Sequence, residues 1–253
     1  MNLRESSLIE PLDSRSLEIR QLILKAIAAS GRGHLGPSLS LVEIISTLYD
    51  SVLTHNPKNS NWEERDILIL SKGHGCLALY AVLAQHGYFP IEELETFCNF
   101  ESRLGGHPEW NDLPGIEFST GSLGHGLAVG VGIARAFQIQ NKNQKVFVIL
   151  GDGELGEGSI WESAAHASKY NLSNLYAIVD FNDMQAYGAL ETVLPIQPIA
   201  QKWDAFGFKT YEINGHNRNQ IISAIKEGYS SDKPKAIIAS TIKGKGIKVA
   251  ENS

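Results

Sequence analysis

Two groups of residues in this 253-residue sequence could do chemistry: an aspartate set between glycines, and histidines in glycine-rich loops. The apolar run 146–150 leads straight into Gly151-Asp152-Gly153, and a helix is predicted to open at Glu157 or Gly158. A strand, a tight glycine turn and a helix N-terminus offer outward-facing N–H groups and the positive end of a dipole to an anion. Gly151 and Gly153 let the backbone come close to such a ligand. Asp152 and a phosphate are both negative, so a cation must lie between them. Magnesium suits that place, because it takes oxygen ligands and is commonly shared between carboxylates and phosphates. A second apolar run, 176–180, is followed by Asn182. The spacing from Asp152 fits one helix and a return to a parallel strand. Both residues then stand at carboxyl ends of strands, where α/β sheets bind ligands. Asn182 offers a neutral oxygen, and a backbone carbonyl just beyond it offers another. Gly-Asp-Gly alone is also a common turn. The strand before it, the helix after it and Asn182 at the next strand end set it apart.

Of the eight histidines, His34, His74, His107 and His125 each stand among glycines, in the stretches Gly31-Arg32-Gly33-His34-Leu35-Gly36, Ser71-Lys72-Gly73-His74-Gly75, Gly105-Gly106-His107-Pro108-Glu109 and Gly121-Ser122-Leu123-Gly124-His125-Gly126. Histidine moves protons near neutral pH and donates to phosphate or hydroxyl oxygens. The plain alternative for each is a satisfied loop histidine.

These residues need a scaffold, and alternating helical and strand patterns predict an α/β fold with a mostly parallel central sheet and helices on both faces. The chain is read as a single domain over residues 1–253. Ile19, Leu22, Ile23, Ala26 and Ile27 mark one helical face, and Leu41, Ile44, Ile45, Leu48, Tyr49 and Val52 another. Ser40 and Glu43 fit a capping box for the second helix, with a loop over 31–38 before it. Short apolar strands are predicted at 67–70, 146–150, 176–180 and 236–242, and a further helix surrounds Trp161, Ala164, Ala165 and Ser168. A helix over 124–137 contains Gly126, Gly130 and Gly132. Glycine weakens a helix, so a core neighbour or a subunit interface must approach that backbone closely.

Composition narrows the function. A net charge of -6 argues against nucleic-acid binding, though a local phosphate site can be positive on an acidic protein. Cys76 and Cys98 are far apart and lack metal-like spacing, so both are expected to be reduced thiols. No apolar run approaches the length of a membrane span, and the polar first residues do not resemble a secretory signal. A cytoplasmic location is expected.

Gly151-Asp152-Gly153 followed by Asn182 resembles the thiamine diphosphate motif, and the histidine segments resemble transketolase segments in the same chain order. The similarity runs from about Leu17 to Glu251 and includes Leu194-Pro195, Trp203, Gly215-His216 and Lys243-Gly244-Lys245-Gly246. It implies the thiamine diphosphate-binding fold, with thiamine diphosphate and Mg2+ (or Ca2+ or Mn2+) as cofactors. By that resemblance Asp152, Asn182 and the Met184 carbonyl hold the metal. His74 meets the diphosphate, as do the glycines of the Gly151–Gly153 turn, and the backbone of Gly121, Ser122 and Leu123 meets the aminopyrimidine. His34 and His107 contact the hydroxyls of a ketose donor and shuttle protons, and Glu157 resembles a buried glutamate at the interface between cofactor half-sites. A first-turn helix carboxylate is the plain alternative for Glu157. His125 stands where transketolases often carry glutamine and has no assigned role; Phe181 and Tyr187 also depart from the family pattern. Lys243 and Lys245 either face phosphate or form a solvated tail.

The chain ends before any pyrimidine-binding domain, so the family's essential glutamate has no counterpart in it. Either it is a fragment or, as the ending favours, one subunit of a two-chain enzyme. The partner would be a C-terminal transketolase subunit, in a heterotetramer acting on sugar phosphates, with no membrane partner. The alternatives are another thiamine diphosphate enzyme, such as a deoxyxylulose-phosphate synthase or a 2-oxo acid decarboxylating subunit, and a non-catalytic subunit that stabilises its partner.

Overall fold

The computed structural model describes residues 2–110, 112–185 and 188–252, so Tyr187 lies outside the described residues. In chain order the elements are α1 (Leu3–Ile9), α2 (Ser14–Ser30), α3 (Leu35–Ser40), α4 (Val42–Ser51), β1 (Ile67–Leu70), α5 (Cys76–Gln85), α6 (Gly126–Ile139), β2 (Val146–Gly151), α7 (Gly158–Lys169), β3 (Leu175–Phe181), β4 (Met184–Gln185), β5 (Gly188–Ala189), α8 (Leu190–Val193), α9 (Ile199–Ala205), β6 (Lys209–Asn214), α10 (Arg218–Gly228) and β7 (Lys235–Ser240).

β1, β2, β3, β7 and β6 lie side by side in that order, and each neighbouring pair is parallel. The apolar runs of β1 and β2 are buried along their whole length, as strands covered on both faces must be. Residues of α2, α4, α5 and α10 build the core on one face, and residues of α6, α7 and α9 build it on the other. The expected mostly parallel sheet between two helical layers is therefore present. Its register places the chemistry: Gly151 pairs with Asp180, while Phe181 and Asn214 both pair with Ser240. The carboxyl ends are level, so the loops after β2, β3 and β7 open onto one edge.

Core neighbours account for two of the three glycines in α6. A side chain at Gly130 would come within 2.4 Å of Val148 on β2, and one at Gly126 within 2.4 Å of Ser71; Gly132 faces open space. Two local expectations are corrected. Residues 35–38 of the expected loop are helical, within α3, and the Ser40 and Glu43 capping box does not form. Ser40 ends α3 and turns its hydroxyl to the Pro37 carbonyl and Asp180, while Glu43 faces Arg20 and His216. Buried partners outcompete the local cap.

That second cluster ties α2, α4 and the turn after β6 together. Arg20 donates to both Glu43 carboxylate oxygens, at 2.6 and 3.1 Å. The Ile242 N–H donates to His216 Nε2 at 2.9 Å, which leaves Nδ1 as the protonated nitrogen that donates to Glu43 Oε2 at 2.7 Å. Burial pushes the Glu43 carboxyl up, but the His216 hydrogen bond and the Arg20 charge outweigh it and hold the group far below its ordinary value. A carboxylate depressed on folding adds stability that is complete above its unfolded value of 4.5 and is lost as the pH falls toward its folded value. Denaturation midpoints should therefore decline below pH 4.5, and decline less steeply in Glu43→Gln. Parallel acid profiles for the two chains would show that the cluster does not set acid stability.

Candidate active site

Asp152 follows β2 and is buried, and its oxygens are largely taken up by backbone amides. Oδ2 accepts from the N–H groups of Asn182, at 3.0 Å, and Asp183, at 2.6 Å; Oδ1 accepts from Gly153 at 2.7 Å. Asp183 turns through a left-handed φ of 64°, which aspartate tolerates better than most residues, and so folds Met184 back to donate its N–H to Asn182 Oδ1 at 3.2 Å. One turn thus presents the Asp152 carboxylate, the Asn182 amide oxygen and the Met184 backbone together. The expected strand–turn–helix is interrupted by a 3-10 turn over Gly153–Gly156, so α7 opens only at Gly158. The backbone that follows Asp152 is this turn rather than the first turn of α7.

Burial and the neighbouring Asp180 carboxylate push Asp152 up to about 6, against the pull of Lys72. A buried acid pushed up by burial and by a second carboxylate is the setting a hard cation relieves. Among the described residues no three His, Cys, Asp or Glu side chains converge as a metal-binding group. A cation here would thus have to share its shell with ligand oxygens, as magnesium does with phosphates. Two buried polar atoms point the same way. Gln185 Nε2, beside Gly153, and Thr120 Oγ1, beside Gly73, have no hydrogen-bond partner within the described chain. Both adjoin the residues expected to hold a diphosphate, and a bound polar group would satisfy them.

The histidines arrive from separate loops. His34 caps α3, His74 sits in a 3-10 turn after β1, and His107 lies in the long connection before α6. The His34 ring centroid lies 5.7 Å from that of His74 and 6.3 Å from that of His107. Close packing holds the loops together: a side chain at Gly73 would strike Thr120 Oγ1 at 2.7 Å and the Gly121 nitrogen at 2.9 Å. Gly121 has a φ of 145°, and its α-carbon faces the His107 ring, where a side chain would approach to 3.1 Å. Burial pushes His74 down to about 3, with Lys72 and His34 adding to the effect, so its imidazole is neutral. Burial and the His34 ring lower His107 as well. Neutral imidazoles can each donate one hydrogen bond and accept another.

Of the remaining expected residues, Ser122 is exposed and Leu123 half-buried in the same loop as Gly121. Gly124 packs on Glu157, and a side chain at Gly124 would meet the Glu157 Cβ at 2.7 Å. Glu157 is exposed in this chain and makes no capping bond to α7, so the burial expected of it is not met by this chain's own atoms. His125 is exposed. Lys245 neither faces phosphate nor trails in solvent: it is buried and donates to the carbonyls of Ser7 and Leu8.

Sequence reasoning missed the residues beneath the site. Glu154 is buried and joins three loops. It accepts from Ser71 at 2.5 Å, from the Gly124 N–H at 2.9 Å and from the Gly151 N–H at 3.1 Å. Lys72 and Asp180 form a buried pair at 2.5 Å, and Ser40, at 2.6 Å, and Thr241 also donate to Asp180. Burial raises Asp180, but the Lys72 charge and these hydrogen bonds outweigh it and hold the carboxyl low. A charge closing the apolar strand 176–180, and a lysine two residues before His74, were the signals available.

Residues 13–253 match the family description "Transketolase, thiamine diphosphate binding domain". The chain is 43% identical over 234 residues to a 6-deoxy-6-sulfo-D-fructose transketolase subunit of a Clostridium species, covering 92% of this chain and 85% of that protein. It is 41% identical to an apulose-4-phosphate transketolase subunit of Actinobacillus succinogenes, covering 96% of this chain and 88% of that protein. Among solved structures, a Pichia stipitis transketolase superposes with a TM-score of 0.90 at 32% identity, over 94% of this chain and 37% of that one. A Campylobacter jejuni transketolase gives 0.88 at 34% identity, over 94% of this chain and 39% of its own.

Proposed function

This chain belongs to the transketolase family through its thiamine diphosphate-binding domain, and from that premise we propose that it is the diphosphate-binding subunit of a two-chain transketolase. The observation that carries this is the gathering, on one sheet edge, of the Asp152–Asn182 turn and three histidines from separate loops. Two relatives of similar length are themselves named as transketolase subunits, which supports a second polypeptide. In this reading residues 1–253 are one domain, the partner carries the pyrimidine-binding domain, and two of each assemble as a heterotetramer in the cytoplasm.

The oxygens of Asp152, Asn182 and Met184 would hold Mg2+, with Ca2+ or Mn2+ as substitutes. Gly151, Gly153 and His74 would hold the diphosphate, and the backbone of Gly121, Ser122 and Leu123 the aminopyrimidine. Glu157, exposed on this chain, would meet the partner's half-site. When bound, thiamine diphosphate supplies an electron sink for carbanion chemistry. The protein's share is proton handling: His107, kept neutral by burial, can accept a proton from a donor hydroxyl, and His34 lies within reach of the same space. The reaction is the transfer of a two-carbon ketol unit from a ketose to an aldose, both expected to be phosphorylated sugars.

The test is turnover by the chain with its partner, Mg2+ and thiamine diphosphate, offered a ketose phosphate or pyruvate as donor. Ketol transfer from the ketose is expected, and His107→Ala should slow it by about 100-fold or more. Turnover of pyruvate alone would move the pair to a synthase-like or decarboxylating enzyme. No thiamine-dependent turnover of either would leave a non-catalytic subunit.

A further inference from the structure

The helix α1 precedes the residues matched to the family, which begin at residue 13, yet it is bound firmly across the sheet edge that carries the site. Ser7 is fully buried, its hydroxyl 2.7 Å from the Ser240 carbonyl and 3.0 Å from Asn214 Oδ1. Lys245 donates to the Ser7 and Leu8 carbonyls, and Glu10, just after the helix, accepts from Asn214 and Asn217. From this anchored helix Arg4 reaches the turn that follows β3. Its guanidinium donates to the Asn182 carbonyl at 2.9 Å, stands 3.7 Å from the Asp183 carboxylate and donates to Asn252 Oδ1 at 3.3 Å.

The turn is thus gripped from two sides. Asp152 takes the N–H groups of Asn182 and Asp183 from within, and Arg4 takes the carbonyl and carboxylate of the same residues from outside. The turn needs such a grip, because Asp183 sits at a left-handed φ and its geometry decides where Asn182 Oδ1 and Met184 lie. We propose that α1 is a strap and that Arg4 is a positioning residue, which holds the 182–184 turn in the shape that accepts a divalent cation. This rests on the assignment of Asp152, Asn182 and Met184 to the metal. Preorganised ligands bind more tightly because their ordering cost is already met on folding. A fork of charged donors fixes the turn in a way a single ammonium cannot.

The experiment is a titration of this chain, assembled with the polypeptide encoded beside it, with Mn2+ in the presence of thiamine diphosphate, following free Mn2+ by electron paramagnetic resonance. It compares the native chain with Arg4→Ala, Arg4→Lys and Asp152→Asn, and records the melting temperature of each without metal. Asp152→Asn should abolish saturable binding. Arg4→Ala should weaken Mn2+ binding about fivefold, the effect of losing one half-exposed charged hydrogen bond, while its melting temperature stays within about 2 °C of native. Arg4→Lys should recover part of the affinity. If Arg4→Ala binds Mn2+ as the native chain does while Asp152→Asn does not, the strap is overturned and the metal assignment stands. If Asp152→Asn also binds as the native chain does, the metal assignment falls and the strap falls with it.

Discussion

Asp152→Asn is expected to abolish retention of metal and thiamine diphosphate and to lower turnover of the assembled enzyme by at least about 100-fold, since even residues one step behind a metal ligand are worth about 10- to 100-fold. The fold should survive. In the native chain burial and Asp180 push the Asp152 carboxyl up to about 6, so its charge is a burden on the metal-free protein. Asparagine removes that burden and keeps one oxygen to accept the N–H groups of the 182–183 turn. Relief of charge and weaker amide bonding act in opposite directions, and the metal-free melting temperature should shift by only a few degrees. A variant that melts natively and still binds cofactor tightly would remove Asp152 from the metal shell.

The second large effect is expected at Lys72, which bears on both fold and function. Lys72→Met removes the ammonium paired with Asp180, a carboxylate with no exposed surface, and leaves it beside the equally buried Asp152. Breaking a buried pair from one side costs about 3–5 kcal/mol. Equilibrium urea unfolding should show a loss of that size, together with weaker cofactor binding, because Lys72 also offsets the Asp152 charge. The double variant Lys72→Met/Asp180→Leu should regain much of the stability, since an apolar pair of similar volume often replaces a buried ion pair at little cost. It should not regain cofactor affinity. Native-like unfolding of Lys72→Met alone would mean that Ser40 and Thr241 are enough to hold Asp180.

The sheet could be read in the sequence because its strands are short, continuous apolar runs, a pattern that buried parallel strands impose directly. The three histidines and Asp152 could be read because glycines mark each of their loops, where a ligand or another loop must come close, and Asn182 because it follows the next apolar strand. Residues whose partners lie far along the chain could not. Glu43 follows Ser40 at capping distance, and nothing local shows that Arg20 and His216 will claim it instead. Glu154 looks like one more acidic turn residue until Ser71 and Gly124 are brought to it. Lys245 sits among glycines and lysines as if in a loose tail, yet α1 closes over it. β6 was missed because its outward positions are polar: Lys209 and Glu212 are exposed on an edge strand, so no apolar run marks it.

The most direct test of the central claim is native mass spectrometry of this chain with Mg2+ and thiamine diphosphate, alone and with the polypeptide encoded beside it. Cofactor carried by a mixed complex containing both chains is the expected result, and it would direct the next work to ketose donors. A chain that pairs only with itself, and carries no cofactor whether or not the neighbour is present, would contradict the claim that it is one half of a divided transketolase.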